Sequence, residues 1–140
     1  MAQPTSFTHT QAGLARSANL LFNNGSAMGS SGGKLRLCGS AANYTNASTA
    51  ISNEVGDASY PTGGFSLTVS SSAWNSGSNH HRVSFEDILF TPTSNLVFRY
   101  AVLTSQDDTL VGFWNWEDDE ELVGGVQYPF QQLFYFTRGV

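Results

Sequence analysis

The sequence predicts an all-β domain, an antiparallel β-sandwich or jelly roll with one short N-terminal helix and a Gly/Ser-rich arm. Three observations lead there. From residue 34 onward, short apolar segments alternate with a period of two. Charged residues make up only 12% of the chain, against a usual share of about 25%, and Gly, Ser, Thr and Asn take their place. Turn signals recur at roughly 8–12-residue spacing, as sandwiches require. The 140 residues fit one domain, and a 40% hydrophobic content lets that domain bury a core.

Helical spacing occurs once. From about Thr8 to Asn23, Leu14, Ala18, Leu21 and Phe22 recur on one face, and Asn23-Asn24-Gly25 supplies a stop. The tract Ser26 to Gly33 is flexible by composition, because nothing in it can bury area. Residues 1–33 are therefore expected to form an arm, and residues 34–140 the sandwich. Lys34 to Leu37 reads as a strand. Gly39 to Gly64 reads as a long irregular connection with Tyr44, Ile51, Val55 and Tyr60 as anchors.

Phe65 to Ser70 alternates cleanly and predicts a strand with one wet face. A turn-rich stretch from Ser71 to Asn79 follows, carrying Trp74, and then short strands at Val83–Phe85 and Ile88–Phe90. Leu96 to Thr104 is apolar at nearly every position and predicts a strand buried on both faces. Thr109 to Trp116 returns beside it, the acidic run Glu117 to Glu121 connects onward, and Gln131 to Thr137 is the last strand.

Composition also excludes functions. The net charge is −5, with Lys34 the single lysine beside five arginines, so phosphate-driven binding of nucleic acid is not expected. No stretch approaches the roughly 20 apolar residues of a membrane span, and the N-terminal residues lack the basic and apolar regions of a secretory signal. One cysteine, Cys38, rules out an internal disulfide and any multi-cysteine zinc site.

Candidates for chemistry are few. His80 and His81 are adjacent, so on a strand they point to opposite faces and rarely share an ion; His9 lies in the arm. The acidic run has oxygen ligands for calcium, but lacks the alternating spacing and the glycine of a calcium loop. Solvation, or pairing with arginines of a neighbouring subunit, accounts for it equally. Glu86 and Asp87 are neighbours that diverge on a strand. There is no G-x-S-x-G, no phosphate-cradling glycine loop and no H-E-x-x-H. No catalytic residue, cofactor or metal is expected. The aromatics are the informative class: most must fill the core. Trp114, Trp116, Phe134, Tyr135 and Phe136, with Leu14, Leu21 and Phe22 of the predicted helix, are the expected interface residues. Trp74, Trp114 and Trp116 are also the residues that a carbohydrate-binding module would use as stacking platforms.

The order of pieces carries a resemblance. Leu35-x-Leu37 is followed by Ser52-Asn-Glu-Val55 and Ser59-Tyr60, then by the strand from Phe65. Val83-Ser-Phe85 comes next, then Phe90-Thr-Pro92, Phe98 to Leu103, Asp107-Asp108 and Leu110-Val-Gly112. This order, over about Gly33 to Phe136, resembles small structural proteins of tailed bacteriophages, the head decoration (cement) and tail fibre proteins. The resemblance implies a non-enzymatic sandwich on the outer surface of the virion head, made in the host cytoplasm. Its implied partners are the major capsid protein and further copies of itself. A tail fibre or tail adaptor is the alternative within the virion. Trp114-Asn-Trp116 and the acidic run have no counterpart in that pattern.

Overall fold

The computed structural model describes residues 7–13, 33–75, 77, 80–105, 108–131 and 134–138. The chain is all-β, and every strand pair is antiparallel. In chain order the strands are β1 (Phe7–His9), β2 (Lys34–Cys38), β3 (Phe65–Ser66), β4 (Val69–Asn75) and β5 (His80–Phe85), then β6 (Ile88–Phe90), β7 (Leu96–Thr104), β8 (Leu110–Leu122), β9 (Tyr128–Phe130) and β10 (Phe134–Arg138). They form a five-stranded sheet in the order β1-β8-β7-β2-β3, a three-stranded sheet β10-β5-β4 and a two-stranded ribbon β6-β9.

The main sheet is buried on both faces, which is why β7 reads as a nearly unbroken apolar run. On one face Leu35, Leu37, Phe98, Leu103, Trp114 and Trp116 pack with Phe85 from β5 and with Phe90 and Phe130 from the ribbon. On the other, Cys38, Tyr100, Val102, Leu110 and Phe113 are covered by Tyr44, Ala42 and Ile51 of the irregular segment after β2. That segment was expected to anchor through Tyr44, Ile51, Val55 and Tyr60, and it does. It also extends the sheet. Gly39 N donates to Asn53 O and Val55 N to Leu37 O, with Cys38 bridged to Glu54, so residues 53–55 pair with the end of β2 where β3 does not reach.

Four sequence expectations are corrected. Phe65 to Ser70 is not one strand: β3 pairs with Lys34 and Leu35, the first residues of β2. Leu67 N still donates to Gly33 O, and the chain crosses at Leu67–Thr68 to begin β4. The stretch from Ser71, expected as turns, continues β4 to Asn75, paired with β5; small polar side chains suit an outer strand as well as a turn. The acidic run is not a connection. It lies within β8, whose register passes from Tyr100↔Asn115 to Phe98↔Glu120, leaving Trp116 to Asp119 opposite Arg99 alone. Glu117 takes a left-handed φ of 68° in this bulge, and its N–H donates to Asn115 Oδ1.

The boundary at residue 33 is the fourth correction, because β1 belongs to the main sheet. Phe7, Thr8 and His9 pair with Trp114, Phe113 and Gly112 at the outer edge of β8. Helical backbone begins only at Gln11. Thr10 is its cap, with Oγ1 accepting from Gly13 N at 3.0 Å, so strand pairing overrides the helical period before that point. Leu14, Leu21 and Phe22 lie outside the described residues.

Candidate functional site

Two places combine polar chemistry with shape: a groove beside β2 and the β1–β8 edge. The groove, of about 340 Å³, is open and lined by Glu54, Val55, Gly56, Asp57, Tyr60, Thr62 and Gly63. Its volume is at the low end for small-molecule sites. What decides its role is whether its polar groups have capacity left.

Three of them, on Glu54, Asp57 and Tyr60, are engaged internally. Glu54 Oε2 pairs with Arg36 at 3.1 Å, and Oε1 accepts from the Tyr60 hydroxyl at 2.8 Å. Arg36, its side chain one-tenth exposed, also reaches Asp108. Tyr60 in turn accepts from Leu37 N, and burial pushes its phenol far above the usual range, so it stays protonated. Asp57 accepts from the backbone N–H groups of Ser59, Thr93 and Ser94 and lies within 3.0 Å of the hydroxyls of all three residues. It ties the 57–60 turn to the turn after β6. Those donors, Ser59 first, hold its carboxyl far below the usual carboxylate range.

The sign of the resulting pH dependence is fixed. A carboxylate depressed in the folded state stabilises that state above its unfolded value of about 4, and the contribution fades as pH falls further. Acid titration of the melting temperature should therefore show a loss beginning below about pH 4. Asp57→Asn should melt lower at neutral pH and lose less on acidification. Parallel melting curves across that range would show that Asp57 does not clamp the turns.

The β1–β8 edge is built differently. The Phe7 ring packs on Trp114 with centroids 4.5 Å apart. Gly112 makes room for it: a Cβ there would stand 2.3 Å from Phe7 Cζ and 2.5 Å from Thr8 O. Thr10 N donates to Val111 O, and Thr10 Oγ1 donates to Leu110 O. At Gly13 a Cβ would stand 2.1 Å from Val111 O. Segment 7–13 is thus seated with side-chain, backbone and steric specificity. His9, expected in a free arm, is on β1, where burial lowers its pKa.

The predicted interface residues divide. Trp114 and Trp116 are 2% and 8% exposed and belong to the core. This corrects their assignment as surface anchors and removes them as sugar platforms. Trp116 turns inward at the bulge against Phe98 and Phe130. Phe134, Tyr135 and Phe136 lie on β10, paired with Ser84, Val83 and Arg82. His80 and His81 lie on β5, with Trp74 opposite His81 on β4. In the bulge, Asp118 and Asp119 stand 3.9 and 3.8 Å from Arg99, and among the described residues no three His, Cys, Asp or Glu side chains are placed to hold a metal. Cys38 is buried, its thiol pushed up to about 11 by desolvation, and it lies 3.4 Å from the Tyr44 hydroxyl. Burial likewise pushes the Tyr44 phenol up to about 12. No family model, curated protein or solved structure matches the chain.

Proposed function

We propose that this chain is a non-enzymatic structural protein of a tailed-phage virion, a decoration or cement protein that binds the head lattice and stabilises it. The observation that carries the reading is the three-stranded sheet β10-β5-β4, whose outer strands β4 and β10 each pair on one side only among the described residues. Open edges of this kind accept a strand from a neighbouring sheet, and proteins that remain monomeric usually blunt them. The chemistry of the groove supports the same reading, since Glu54, Asp57 and Tyr60 are committed to holding loops together.

Attachment through edges and apolar contacts should survive about 1 M salt, where charges are screened within roughly 3 Å. The test is a quantitative gel of purified particles washed at low and high salt. Hundreds of copies per particle, retained through the wash, support the head location; a few to a few tens point to the tail. Release by moderate salt would mean a charge-driven interface and overturn this account.

A further inference from the structure

We propose that Phe7–Gly13 is an exchangeable strand, which seats on the β8 edge of a second copy of this chain when copies are held side by side. The inference rests on the β1–β8 geometry alone and would survive failure of the virion reading.

The first argument is reach. His9 pairs with Gly112, Gly112 with Leu103, and Leu103 with Leu35, so these four residues form one row across the sheet. His9 and Leu35 are three strand spacings apart, roughly 14 Å. The connection between Gly13 and Gly33 contains residues 14–32, a length that spans up to about 65 Å when extended. Closing on its own sheet needs only a fraction of that length. The same connection can deliver β1 to the β8 edge of an adjacent molecule.

The second argument is that the socket is separable from the strand that fills it. The three atoms nearest a Cβ at Gly112 all belong to Phe7 and Thr8, so the glycine serves β1. Without β1, Trp114 loses its Phe7 contact and β8 its outer hydrogen-bonding partner. The site is therefore incomplete until some copy supplies the segment. In dilute solution the chain's own segment is favoured by its millimolar-range effective concentration. Where copies are held side by side, a neighbour's segment reaches a comparable local concentration, and exchange links molecules without any contact beyond those of the monomer.

Two full-length variants test this. Gly112→Val closes the socket and leaves the strand intact. Phe7→Asp with Thr10→Ala disables the strand and leaves the socket open. Each alone should be monomeric by native mass spectrometry, and mixing them at high micromolar concentration should give a 1:1 complex. Absence of that complex, with both chains melting cooperatively, overturns the proposal. If either variant fails to fold, deletion of residues 14–32 in the natural chain decides instead, because Gly13 and Gly33 can then no longer reach their places in one molecule. Dimers or longer chains that Phe7→Asp returns to monomers support exchange. A folded monomer overturns it, and so does an unfolded product, which would mean that β1 is built only from its own chain.

Discussion

Trp114→Ala and Trp116→Ala should each lower folding stability by about 3–5 kcal/mol, the range for emptying a large aromatic site in a packed core. Both indoles lie in the cluster joining the main sheet to the ribbon, Trp114 under Phe7 and Trp116 between Phe98 and Phe130. For a domain whose total stability is typically about 5–15 kcal/mol, either loss is a large share. Urea denaturation with the midpoint and slope both fitted is the measurement. Neutralising Glu120 and Glu121, which lie at the far end of the bulge, should stay within about 0.5 kcal/mol. A Trp variant as stable as the parent would mean that these indoles are not core. With both indoles in the core, loss of particle binding in a Trp variant would report unfolding, so binding tests belong on β4 and β10.

Glu54→Ala is expected to be the next most damaging substitution. It leaves the nearly buried Arg36 guanidinium with Asp108 alone, whose side chain is 60% exposed, and deprives the Tyr60 hydroxyl of its acceptor. Breaking a fully buried pair costs about 3–5 kcal/mol. Glu54 keeps a quarter of its side chain in water, so about 2 kcal/mol is the expected loss after screening. Adding Arg36→Met should recover part of it, because the stranded cation is then gone. If the double variant is less stable than the single by the full cost of a second independent site, the two residues are not coupled.

Much of the sheet was legible because burial leaves a periodic trace. Leu35 and Leu37 alternate on a strand covered on both sides, and Leu96 to Thr104 is apolar on nearly every position because β7 has neighbours above and below. The anchors Tyr44 and Tyr60 stood out as large side chains in a polar stretch. Three residues of β1 were not legible: Phe7-Thr-His9 is too short to show a period, and its partner lies more than a hundred positions away. Gly112 between apolar residues was the signal that could have found it, since a glycine inside a strand often marks close approach of another backbone. The surface reading of Trp114 and Trp116 failed for a related reason. With β1 unrecognised, β8 looks like an edge strand with aromatics to spare, and not a covered strand in the interior of its sheet.

The placement of β1 has a consequence for how the protein is made. Trp114, the partner of Phe7 across the sheet, is synthesised roughly 5–20 s after it at about 5–20 residues per second. During that interval Phe7–His9 has no β8 edge to join within its own nascent chain. On a polysome, the nearest finished β8 edge belongs to the chain ahead, so the time between the first strand and the eighth is when a message read by many ribosomes can join one newborn molecule to the next.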